Sequence, residues 1–149
     1  MQQLQRILHV EDEPDIRFLV ELALRSIGGL KIRSCESASQ AQVLAREFTP
    51  QLLLLDACLP DTNGVETLDA LRLVPGIDLV PVVFMTGMRG ADTRQKLWDA
   101  GALEVLNKPF DPLTLAQCLH TIWGAHYHAL MDSERHPRGR PLSSVYGQG

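Results

Sequence analysis

Gln51-Leu52-Leu53-Leu54-Leu55-Asp56-Ala57-Cys58 is the stretch that decides the fold. Four consecutive leucines leave no alternation between an apolar and a polar face. A run this short, closed by a polar residue, reads as a strand buried on both sides of a parallel sheet. Its last residue is a carboxylate, and in open α/β sheets the ligand crevice lies beyond the carboxyl ends of the strands. Three other apolar runs stop in the same way. Residues 7–10 stop at Glu11, Asp12 and Glu13; residues 82–85 stop at Thr86; Val105 and Leu106 lead through Asn107 to Lys108. Side by side, these strands gather carboxylates, a hydroxyl and an ammonium at one edge, a set suited to a divalent cation and a phosphoryl group.

The segments between the runs have helical texture. Pro14 suits a first helical turn, and Ile16, Leu19, Val20, Ala23, Leu24 and Ile27 recur at helical spacing until Gly28-Gly29. Residues 30–35 predict a second strand. Ser37 and Gln40 form a capping-box pattern for a helix to about Phe48, with Ala41, Leu44, Ala45 and Phe48 on one face. Residues 59–64 are rich in turn formers, and the next helix, 65–73, turns Val65, Leu68, Ala70 and Leu71 inward. Asp92 is the expected cap of a helix to Ala100. Pro112 is expected to open a last helix with Leu115, Leu119, Ile122, His126 and Leu130 as its stripe. Five strand–helix alternations predict an α/β, doubly wound, five-stranded parallel sheet with right-handed crossovers. The folded unit spans 1–130; the tail, 131–149, with Pro137, Gly139 and Pro141, has little to bury and is expected to be disordered.

At 149 residues, 45% apolar and 21% charged, the chain suits a single globular domain. A net charge of −4 weighs against direct nucleic-acid binding, which needs a basic face. Neither a signal peptide nor a membrane span is expected. Cys35, Cys58 and Cys118 are odd in number and contain no CxxC pair, which suits reduced thiols and a cytoplasmic location.

An isolated aspartate is most often a turn or cap residue, but Asp56 has company. A carboxylate at a strand end can attack phosphorus and form an acyl phosphate. Glu11 and Asp12 crowd the same edge, and three adjacent carboxylates repel unless a cation joins them; Mg²⁺, an oxygen-seeking ion, fits. Glu13 and Asp15 favour the following helix N-terminus. Lys108 pairs with Asp56 or with a phosphoryl oxygen, and Thr86 offers its hydroxyl. Trp98 follows Leu97 and so lies about 100° around its helix, placing it for partner contact or for packing at the sheet edge. Trp123 is expected in the core or rim of the last helix, and His9 packed within the first strand. No His/Cys/Asp set has zinc-site spacing.

Taken together, Val10-Glu11-Asp12-Glu13-Pro14, Asp56-Ala57-Cys58-Leu59-Pro60-Asp61-Thr62-Asn63-Gly64, Met85-Thr86-Gly87 and Lys108-Pro109-Phe110 resemble the motif set of two-component response-regulator receiver domains, over roughly the first 125 residues. The resemblance implies strand order 2-1-3-4-5 and five helices, and makes Asp56 the phosphoacceptor. It also implies Mg²⁺ on Asp12, Asp56 and the Cys58 backbone carbonyl, with Glu11 assisting through water. Thr86 and Lys108 would contact the phosphoryl group, and the Lys108-Pro109 bond would be cis. The donor would be a phosphohistidine on a sensor histidine kinase or a histidine phosphotransfer protein. One departure concerns the output: such domains usually carry Tyr or Phe three residues before the lysine, and this chain has Val105. Trp98 and Val105 are the candidates for the output face.

The leading expectation is a single-domain phospho-accepting switch, not an enzyme, that acts through an unidentified downstream protein, with homodimerisation possible. A phosphorylation-independent scaffold or dimerisation module keeps the fold and drops the switch. A haloacid-dehalogenase-type phosphatase would need a second aspartate two positions after the nucleophile, where Cys58 stands. A dinucleotide-binding domain would need a GxGxxG after the first strand.

Overall fold

Each apolar run forms a strand. In the computed structural model, which describes residues 2–59, 62–87 and 90–135, these are β1 (Arg6–Val10), β2 (Lys31–Cys35), β3 (Leu52–Asp56), β4 (Val82–Thr86) and β5 (Glu104–Asn107). They pair in parallel in the order β2-β1-β3-β4-β5, as the sequence led us to expect. The register sets the strand ends nearly level. Val10 lies opposite Leu55, Asp56 opposite Met85, and Thr86 opposite Asn107.

The leucines of β3 show why the strand must be central. Leu53 and Leu55 pack on one side with Leu8, Val10 and Phe84, while Leu52 and Leu54 pack on the other with Ile7, Val83 and Met85. All four are fully buried, each worth roughly 1.5–3 kcal/mol against exposure. One face is covered by α1 (Pro14–Glu21) and α5 (Leu115–Arg135), the other by α2 (Ala38–Phe48), α3 (Gly64–Arg72) and α4 (Ala91–Asp99). Ser37 caps α2, accepting the Gln40 N–H at 3.2 Å, and the Gln40 side chain reaches back to the Glu36 N–H at 3.1 Å. The predicted capping box is present, with its return bond moved one residue earlier.

Three local expectations need correction. Leu19 and Ile27 are exposed although they belong to the expected stripe of α1, whereas Val20, Ala23 and Leu24 are buried. After Glu21 the helix widens into a π-type segment, Leu22–Ile27, in which the Gly28 N–H reaches back to the Ala23 carbonyl. The wider turn rotates Ile27 off the buried face. Asp92 does not cap α4: Gly90 is the N-cap and Asp92 sits in the first turn, where its charge suits the helix dipole. The last helix begins at Leu115 and not at Pro112, because Asp111 closes a preceding turn through its side chain to the Leu113 N–H and its carbonyl to the N–H groups of Thr114 and Leu115.

Trp123 is buried and donates its indole N–H to the Gln2 carbonyl, tying α5 to the start of the chain. The helix continues through Arg135, beyond residue 130. The tail expected to be disordered, 131–149, lies outside the described residues from 136 onward. No helix among the described residues is long and apolar enough to cross a membrane.

Candidate functional site

The level strand ends bring the sequence-separated groups together. Glu11 follows β1, Asp56 closes β3, Thr86 closes β4, and Lys108 follows β5. The Lys108 ammonium donates to Glu11 Oε1 at 2.7 Å and lies 3.2 Å from Asp56 Oδ1. Its stem is held by the turn after β5, where the Lys108 N–H donates to the Thr86 carbonyl at 2.9 Å and the Lys108-Pro109 bond is cis.

Electrostatically the corner is short of positive charge. Glu11 and Asp56 are only 1% and 6% exposed, and they share one ammonium. Burial pushes the Glu11 carboxyl up to about 7; Asp56 adds to the rise and Lys108 opposes it. For Lys108 burial acts downward, but the hydrogen bond to Glu11 and the charge of Asp56 outweigh it, and the net shift is upward. Carboxylate oxygens of Glu11, Asp12 and Asp56 all lie within 4.8 Å of one another. A hard divalent cation takes oxygen ligands of this kind and relieves their repulsion, so the donor set fits Mg²⁺.

The acceptor loop is shaped by local bonds. The Cys58 N–H donates to Asp56 Oδ1 at 3.2 Å, closing a turn around the carboxylate and leaving the thiol exposed. Asn63 caps α3, accepting the Glu66 N–H at 2.8 Å. Gly64 is required by closeness: a Cβ there would stand 2.9 Å from Phe84 Cε1 and 3.0 Å from the Asp56 carbonyl oxygen. Thr86 is 1% exposed and borders a polar cavity of about 400 Å³ together with Gly87, Arg94, Asn107, Lys108 and Pro109.

Of the remaining sequence candidates, Trp98 is 42% exposed on α4 and Val105 is buried in the core beneath it. His9 is buried, with Nδ1 3.2 Å from Ser34 Oγ; burial holds it down to about 3, and the charges of Lys108 and Arg17 add to that. It is a packed neutral side chain, as expected.

Sequence reading missed several side chains. Arg17 Nη1 donates to the carbonyls of Glu11 (2.8 Å) and Asp12 (3.4 Å). Arg94, on α4, donates to the Asn107 side chain at the end of β5. The only sequence signal for Arg17 is its oddity: a cation in the first turns of a helix opposes the macrodipole. Arg94 and Asn107 carry no local signal, since only the fold juxtaposes them.

The family model described as "Response regulator receiver domain" matches residues 7–120. A 14.6 kDa protein of Leptolyngbya boryana is 31% identical over 109 residues, covering 73% of this chain and 82% of that protein. Response regulator Rre1 of Synechocystis is 31% identical over 106 residues, covering 71% of this chain and 46% of Rre1. Several curated regulators in this group are about twice as long as the segment they share with this chain. Among solved structures, a receiver domain protein from Methanospirillum hungatei superposes with a TM-score of 0.70 at 25% identity, over 85% of this chain and 99% of that one. The chemotaxis protein CheY4 of Vibrio cholerae gives a TM-score of 0.73 at 24% identity, over 80% and 98%, a likeness of fold.

Proposed function

We propose a function on one premise: this chain belongs to the response-regulator receiver domain family of two-component signalling. Asp56 accepts a phosphoryl group from a phosphohistidine on a sensor kinase or phosphotransfer protein in the cytoplasm. An Asp56 carboxylate oxygen attacks phosphorus, the new O–P bond forms as the P–N bond breaks, and the electron pair leaves with the donor imidazole, which takes up a proton. Lys108 pairs with a phosphoryl oxygen as it now pairs with Asp56, and the Thr86 hydroxyl holds another. Glu11, Asp12, Asp56 and the Cys58 carbonyl are the groups to hold Mg²⁺, which when bound supplies positive charge against the phosphoryl oxygens.

The observation that carries this reading is Lys108, 97 residues from Glu11 in sequence, bonded to it at 2.7 Å and standing 3.2 Å from Asp56. A random surface lysine has no reason to sit partly buried between two carboxylates. Phosphorylation adds charge where that ammonium already sits, so the balance around Lys108 and Thr86 changes, and α4 with β5 is the adjoining region to respond. In this reading the exposed Trp98 marks the output face, the other candidate, Val105, lying buried in the core, and the chain acts as a switch for a downstream protein.

The test is intact-mass measurement after incubation with a small acyl phosphate and Mg²⁺. The wild type should gain one phosphoryl group, and Asp56→Asn should gain none. A wild type that stays unlabelled while a control receiver is labelled contradicts the proposal. The phosphorylation-independent reading draws support from Val105, a buried valine that cannot swing as an aromatic ring does. It predicts a labelled protein whose partner binding is the same before and after labelling.

A further inference from the structure

We propose that Arg17 is a positioning residue of the cation-binding corner: its guanidinium, bonded to the main-chain carbonyls of Glu11 and Asp12, fixes the turn that presents both carboxylates. The inference rests on the reading of Glu11, Asp12 and Asp56 as a Mg²⁺ pocket.

Between the end of β1 at Val10 and the start of α1 at Pro14 lie only Glu11, Asp12 and Glu13. Two of the three pocket carboxylates belong to this turn, so its backbone conformation decides where their oxygens go. Few bonds hold it. The Glu11 N–H donates to the Cys35 carbonyl at 2.9 Å, and the Glu13 N–H reaches Glu11 Oε2 at 3.3 Å. The N-cap, Glu13, makes no side-chain capping bond, and Pro14 has no N–H to give. Arg17 supplies what is missing, with one nitrogen bridging two successive carbonyls at 2.8 and 3.4 Å.

The position is costly for a cation. Arg17 lies in the first turns of α1, where the helix dipole favours negative charge. Yet among the described residues it enters no ion pair. Binding to carbonyls keeps the guanidinium off the Glu11 and Asp12 carboxylates, so it does not take up their oxygens. An arginine paired directly with those carboxylates would compete with the metal. The same inward placement accounts for its electrostatic influence on the buried His9 and Cys35.

Groups that hold a metal ligand in place commonly change metal affinity 10- to 100-fold when removed. Loss of a nearby positive charge, acting alone, has the opposite sign and tightens Mg²⁺ binding. The two accounts therefore separate cleanly. Mg²⁺ dissociation constants should be measured by calorimetry for wild type, Arg17→Met, Arg17→Lys and Asp12→Asn, with folding checked by near-UV circular dichroism. Arg17→Met is expected to bind Mg²⁺ about tenfold more weakly, and Arg17→Lys, which reaches one carbonyl, to fall between it and wild type. In metal-free NMR spectra the amides of Asp12 and Glu13 should move in both variants. Arg17→Met binding as tightly as wild type, or more tightly, overturns the inference. Should Arg17→Met fail to fold, Arg17→Lys decides alone, and a wild-type constant there overturns it. A wild type that binds no Mg²⁺ overturns both this inference and the reading of the pocket, whereas wild-type binding lost in Asp12→Asn and kept in Arg17→Met overturns this inference only.

Discussion

On the β1–β3 side of the crevice, Glu11 and Asp56 are 1% and 6% exposed, bonded to or beside one ammonium, and set at the ends of strands whose leucines are fully buried. On the α4–β5 side, α4 buries only Leu97, Trp98 is 42% exposed, and β5 alternates between buried Val105 and partly exposed neighbours. One side is fixed by charges that cannot be moved without cost. The other is joined by few apolar contacts and by the Arg94–Asn107 hydrogen bond. A switch needs both kinds of region: a rigid one that fixes the chemistry and a loosely held one whose populations can shift.

The largest effect should come from breaking the rigid side. Lys108→Met keeps the apolar stem and leaves two buried carboxylates without their ammonium. Removing one partner of a buried ion pair typically costs about 3–5 kcal/mol, and the 16% exposure of Lys108 places the expected loss near the lower figure. Urea unfolding in metal-free buffer measures it; a loss below about 1 kcal/mol, the range of surface pairs, would place this pair among them. Next comes the metal. Mg²⁺ at a hundredfold excess over its dissociation constant should stabilise the fold by about 2.7 kcal/mol, seen as a raised thermal midpoint, and Asp12→Asn should remove most of that rise.

Packing provides the third comparison. A Cβ on Gly28 would stand 2.4 Å from Ala116 Cβ, where the end of the first helix meets α5. Gly28→Ala should therefore cost about 1–3 kcal/mol through overpacking, without changing Mg²⁺ affinity. The smallest effect belongs to the looser side. Trp98→Ala should alter the unfolding free energy by less than about 0.5 kcal/mol, as surface substitutions do. A large loss there would show that α4 is held more firmly than its exposure indicates.

The sequence carried the strands and the site because both are written locally. An unbroken apolar run ending in Asp56 names its own burial, and the same grammar marks Glu11, Thr86 and Lys108 as strand-end groups. Helix placement was readable for the same reason, from spacing and from the Ser37–Gln40 pattern. What escaped depends on neighbours remote in the chain. The π-type segment at Leu22–Ile27 rotates Ile27 outward, and nothing in its composition announces that. Gly64 is a loop glycine until Phe84 and Asp56 close against it. Arg17 is only an oddly placed helix arginine until two carbonyls of the preceding turn come within its reach.

The contrast between the rigid corner and the looser face is tested most directly by amide NMR of the wild type with Mg²⁺, before and after beryllofluoride, a mimic of the phosphorylated carboxylate. The account predicts shifts at Asp12, Asp56, Thr86 and Lys108 that continue into α4 and β5, with Trp98 and Val105 among them. Unmoved amides around Asp56 would contradict the assignment of the acceptor, and shifts confined to the acidic corner would contradict its coupling to the α4–β5 face.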